Sequence, residues 1–129
     1  MGLDNYPESY PCLALEEAGK LKLVRDKDGE PECKATNCPF KPLPTGCWIR
    51  GKVFNKYVHE CCDESLYEDK TRDELEFILQ SLKEYYKRSY RKKEKSTNVD
   101  THAQLRQLIE YLETLLSIKE WDGKLIAWY

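Results

Sequence analysis

"TRDELEFILQSLKEYYKRSY" (Thr71 to Tyr90) carries two signals at once. Thr71 followed three residues on by Glu74 is a capping box, in which hydroxyl and carboxylate each satisfy a backbone N–H that a helix start leaves unpaired. Leu75, Ile78, Leu79, Leu82, Tyr85, Tyr86 and Tyr90 then recur at i, i+3, i+4 spacing, so the stretch predicts an amphipathic helix with one apolar stripe. The same spacing returns in Leu105, Leu108, Ile109, Leu112, Leu115 and Leu116, with Thr101 and Gln104 reading as a second capping box. Between the two stripes, "RKKEKSTN" (Arg91 to Asn98) reads as a solvated linker. Two amphipathic helices joined by a short polar connection predict an antiparallel helical hairpin.

Outward from the hairpin, the chain turns at Asp122-Gly123 and ends in "KLIAWY" (Lys124 to Tyr129), rich in strand formers. So apolar a last strand is expected to pair with strands of the N-terminal half. That half has a different texture. Every cysteine, all six prolines and five of the six glycines precede residue 65. "LALEEAGKL" (Leu13 to Leu21) suits a short helix, "KLKLV" (Lys20 to Val24) alternates like a strand, and Asp28-Gly29 signals a hairpin turn. "NCPFKPLPTG" (Asn37 to Gly46) predicts an irregular loop, and "CWIRGKVFNKYV" (Cys47 to Val58) reads as two short strands about a bend at Gly51. The expected architecture is α+β: one domain over residues 1–129, with a cysteine-rich β/loop half (1–65) packed on a helical hairpin and final strand (66–129).

Length and charge bound the function. At 129 residues the chain has room for one domain with a real core. Charged residues make up 34%, so the 40% that are hydrophobic must concentrate on few faces. A net charge of −2 gives no global field for nucleic acid or acidic lipid. The opening "MGLDNYPESYP" has no basic region followed by an apolar one, and no run approaches the roughly 18 apolar residues of a membrane span. No membrane association is expected, and the expected location is the cytoplasm.

In a reducing cytoplasm six cysteines favour metal ligation or free thiols over disulfides, a thermophile cytoplasm being the exception. Cys12, Cys33, Cys38 and Cys47 are separated by 20, 4 and 8 residues. Cys33-x4-Cys38 stands at the wide end of structural zinc spacing, and four thiolates close a tetrahedral shell. A zinc ion there would stabilise a half otherwise poor in core. On a strand, His59 and Cys61 would share a face and offer substitute ligands, while Cys62 would point into the core.

Catalytic signatures are incomplete. "PEC" (Pro31 to Cys33) and "HEC" (His59 to Cys61) resemble fragments of the zinc deaminase signature, but order and spacing do not fit it. Cys47, beside Gly46 and Trp48, is a candidate thiol nucleophile with His59 as base. A small metallo- or thiol-dependent enzyme is therefore an alternative. A second alternative is nucleic-acid or nucleotide binding. Lys83 to Lys95 has a local charge of +5 and includes Lys87, Arg88, Arg91, Lys92 and Lys93, interleaved with Tyr85, Tyr86 and Tyr90. Arg50, Lys52 and Lys56 near Trp48 suit a phosphate. The simpler reading is that cations at a helix C-terminus complement its dipole and that the tyrosines belong to the apolar stripe.

"MGLDNYPESYPC", "CKATNCPF" and "CWIRGK" together resemble small uncharacterised proteins encoded in bacteriophage and prokaryotic genomes. The resemblance covers the first 50 to 60 residues and takes in Cys12, Cys33, Cys38 and Cys47 as a set. It implies a shared metal or structural role for them, and a task such as binding and blocking a host factor. The expected function is thus a non-enzymatic binding protein with a structural zinc site, acting on a protein partner or by self-association.

Overall fold

The computed structural model describes residues 2–32, 37–91 and 99–129. In chain order the elements are β1 (Asp4–Pro7), α1 (Pro11–Glu17), β2 (Ile49–Arg50), α2 (Lys52–Cys62), α3 (Arg72–Arg91), α4 (Val99–Ser117) and β3 (Leu125–Trp128). The fold is α+β, and α3 and α4 pack as a helical hairpin.

The apolar stripes meet in the core. Leu75, Ile78 and Leu82 from α3 and Leu105, Leu108, Leu112 and Leu115 from α4 are all buried, joined by Tyr111, which the leucine pattern alone did not mark. The capping box at Thr71 forms in both directions: the Thr71 N–H donates to Glu74 Oε1 at 3.0 Å, and the Glu74 N–H donates to Thr71 Oγ1 at 3.3 Å. These bonds, led by the one from the Thr71 backbone, hold the Glu74 carboxyl below its ordinary range. Thr101 does not cap α4, because the helix already begins at Val99. The linker residues 92–98 lie outside the described residues.

The far end of α4 is held by the first residue of α3. The Arg72 guanidinium donates to the carbonyls of Ile118 (3.1 Å), Trp121 (2.6 Å) and Leu116. Leu116 lies in the last turn of α4, where the helix ladder supplies no N–H, and the Ile118 carbonyl beyond it also accepts the Trp121 N–H at 3.1 Å, so one cation gathers the helix end and the turn after it and complements the dipole.

β3 joins the N-terminal half as expected. It lies antiparallel to β1, with Asp4 opposite Trp128 and Pro7 opposite Leu125, in a sheet of order β2-β1-β3. β1 itself was not foreseen, because its short, Pro- and Asn-containing sequence shows no strand pattern. Asn5 within it is buried and donates to the Leu66 carbonyl at 2.8 Å, while the Leu66 N–H donates to Asn55 of α2 at 2.6 Å. Those two amides fix the crossing from α2 to α3. The outer edge of β3 is also covered: Lys70 and Leu125 exchange backbone hydrogen bonds, and the Ala127 N–H donates to Asp69.

Two expectations for the N-terminal half fail. Residues 52–62 form a helix rather than a strand, since Phe54, Tyr57, Val58 and Cys61 fall at helical spacing and pack on the core. Gly51 makes the switch from β2 to α2, at φ 134°, a conformation that favours glycine, while its N–H donates to the Leu3 carbonyl. Lys20 to Val24 forms no named strand. What remains is the Asp28-Gly29 turn, closed by a bridge between Arg25 and Pro31.

Candidate functional site

Cys12 enters the site from the first turn of α1, placed there by Pro11, whose missing N–H costs nothing at a helix start. Cys38 lies in the proline-rich loop. Its sulfur accepts the Phe40 N–H at 3.3 Å, and its carbonyl accepts the Lys41 N–H at 3.0 Å, so the turn points its donors at the cysteine. Cys47 stands just before β2, its carbonyl held at 2.8 Å by the hydroxyl of Tyr111 from α4. Phe40 packs on Tyr111 with ring centroids 5.7 Å apart, which ties the loop to the same point of the hairpin. Burial, with the charge of Cys47 nearby, pushes the Tyr111 hydroxyl well above its ordinary range, so it stays a donor.

Three separate segments therefore converge. Cys12, Cys38 and Cys47 line one cavity of about 560 Å³, together with Tyr6, Tyr10, Leu13, Leu23, Glu30, Pro31, Phe40 and Trp48. Cys33, the fourth expected ligand, lies outside the described residues. Among the described residues no three His, Cys, Asp or Glu side chains stand close enough to hold a metal ion. Cysteine sulfurs are soft ligands of the kind zinc takes, and an N–H directed at a ligating sulfur is a common supporting contact in such sites.

The proposed substitutes His59 and Cys61 do not share a face. Being two apart on a helix they diverge, and neither lines the cavity. The His59 side chain is 68% exposed, with Nδ1 3.7 Å from Asp63. Cys61 packs against the core, and burial, followed by its neighbour Cys62, pushes its thiol up to about 12. At neutral pH the thiol is held protonated, which disfavours it as a nucleophile. The described lining of the cavity holds Cys47 but no histidine to serve as its base.

Among the described residues the basic candidates fall in two places. Arg50 and Lys52 flank the start of α2, whereas Arg88 acts on Cys61 near its end, about 14 Å along the helix at 1.5 Å per residue. Arg50 also faces Asp4 across the sheet, with 3.3 Å between Nε and Oδ1. Lys87 and Arg88 are exposed on α3; Lys92, Lys93 and the side chain of Arg91 lie outside the described residues. Among the described residues no helix is long and apolar enough to cross a membrane.

Tyr6, Tyr10 and Glu30 were not foreseen as lining residues. The signal available was "NYPESYP" (Asn5 to Pro11), where two tyrosines each precede a proline. No protein-family model, curated protein or solved structure matches the chain.

Proposed function

We propose that the chain is a small non-enzymatic binding protein of the cytoplasm whose N-terminal half is stapled by zinc. Cys12, Cys38 and Cys47 do not stand within reach of one ion in this structure, so zinc would have to draw them together, with Cys33 as the fourth ligand. The observation that carries this reading is the convergence of three cysteines, distant in sequence, on one cavity. A reducing compartment keeps such thiols available to a metal. The segment they join has few buried apolar residues, so a metal would supply cohesion that packing does not. The resemblance of the same segments to small phage-encoded proteins suits a partner that is a protein of the host.

The test is native mass spectrometry with metal analysis on protein purified without added zinc, and thiol counting before and after denaturation. One zinc per chain is expected, with few thiols titrating until the protein unfolds. Cys33→Ser and Cys38→Ser should each lose the metal, while Cys62→Ser should keep it. Metal-free protein with all thiols titrating in the native state would end the zinc reading.

A further inference from the structure

The cavity does not stop at its mouth. Tyr6 and Trp48, which line it, continue onto the sheet. In β1, Asn5 and Pro7 are buried, so Asp4 and Tyr6 point to the opposite face; pairing sets Tyr6 beside Ile126, and Asp4 between Arg50 and Trp128. Trp128 is 66% exposed, Tyr10 51% and Trp48 44%. Tryptophan, tyrosine and arginine beside a pocket are the side chains that dominate binding energy where proteins meet.

We infer that the cavity mouth and this sheet face together dock a short extended peptide containing proline and carrying a basic residue. Three strands about 4.8 Å apart, β1 and β3 of four residues and β2 of two, present only about 160 Å². A stable association of folded partners buries about 800 Å² on each side, so the face is too small for a second copy of the chain. One extended strand of peptide fits it. Polyproline segments seat their rings between aromatic side chains and lose little entropy on binding, because they are already extended.

Charge selects the basic residue. Glu30 is the one carboxylate among the described residues lining the cavity. It is exposed, and no salt bridge engages it among the described residues. Its position is built in. The Asp26 side chain accepts the N–H groups of Asp28 and Glu30, and Arg25 ties the turn to Glu16 of α1 at 2.6 Å. On the sheet face Arg50 is paired with Asp4, whose charge offsets its attraction for a phosphate. The arrangement therefore favours a cationic peptide over a nucleic acid.

Resting on the reading of the chain as a binding protein, the surface is tested by fluorescence polarisation on the full chain. The probe is a fluorescein-labelled peptide of alternating prolines and leucines with one terminal arginine, compared with its glutamate counterpart and a thymidine oligonucleotide. Zinc content and circular dichroism are measured on every variant. Saturable binding of the arginine peptide is expected, weakened about tenfold by Trp48→Ala or Tyr10→Ala. Glu30→Lys should shift the preference to the glutamate peptide. No binding of either peptide by folded, zinc-loaded protein would overturn the docking surface and leave the staple standing. Binding without zinc would overturn the staple and leave the surface. Oligonucleotide binding with no peptide binding, or peptide binding indifferent to Trp48, Tyr10 and Glu30, would also overturn it.

Discussion

The α3–α4 hairpin and the segment from Pro11 to Trp48 use their side chains differently. In the hairpin nine apolar side chains from Leu75 to Leu115 are buried among the described residues, against each other and against α2. From Pro11 to Trp48 the buried hydrophobic side chains among the described residues are Leu23 and Phe40, and the chain is shaped by turns, prolines and backbone hydrogen bonds. Periodic burial gives the helix pair a core of its own, to which α2 adds Phe54, Tyr57 and Val58. A segment with so little core depends on what it is tied to, here Tyr111 beneath it and, in our reading, a metal across it. The freedom from core packing is also what leaves aromatic rings and a cavity on that side of the molecule.

The contrast breaks first in the cores. Leu112→Ala should cost about 3 kcal/mol by urea denaturation, because a fully buried site cannot collapse, whereas Leu23→Ala at the cavity wall should cost about 1 kcal/mol. Equal costs would mean that the N-terminal segment is packed as tightly as the hairpin.

Arg72→Ala tests how the end of the hairpin is held. Losing the cation leaves the carbonyls of Leu116, Ile118 and Trp121 without it, and about 2 kcal/mol should be lost in the same assay. A negligible loss would show that water serves those carbonyls as well.

The smallest effect separates two kinds of cysteine. The Cys61 thiol ionises near its ordinary 9.0 when unfolded and near about 12 when folded. Above pH 9 the unfolded chain has released a proton that the folded chain retains, so rising pH favours unfolding. This contribution is present in full below pH 9 and is lost as pH rises towards 12. Tyr111 acts in the same direction, from its ordinary 10.0 upwards. Cys61→Ala should flatten the alkaline loss by no more than about 1 kcal/mol, since the side chain is only partly buried. Zinc-bound cysteines would behave oppositely, releasing the metal in acid as thiolates are protonated. A chain stable in acid and fragile only in base would count against the staple.

Much of this was legible because some instructions are local. The Thr71–Glu74 box and the leucine stripes name their helices through contacts within four residues, and the buried positions follow. The terminal strand was legible through its composition. The four-cysteine spacing suggested a common site; Cys12, Cys38 and Cys47 line one cavity without standing close enough together to hold an ion. The α2 helix was misread because alternation and helical spacing coexist in "VFNKYV" (Val53 to Val58), and local pattern alone did not choose between them. Packing chose, since only a helix presents Phe54, Tyr57 and Val58 to the hairpin together. With that choice His59 and Cys61 ceased to be neighbours.

By itself, then, the sequence determined the hairpin, its cap, the sheet-forming C-terminus and the division of texture near residue 65, because each rests on short-range periodicity or composition. Only the tertiary structure decided that Asp4 to Pro7 is a strand, that Arg72 closes α4, and that Tyr6, Tyr10, Glu30 and Trp48 share a cavity with three cysteines. Those relations join residues far apart in the chain. Their energy comes from partners that no local pattern names.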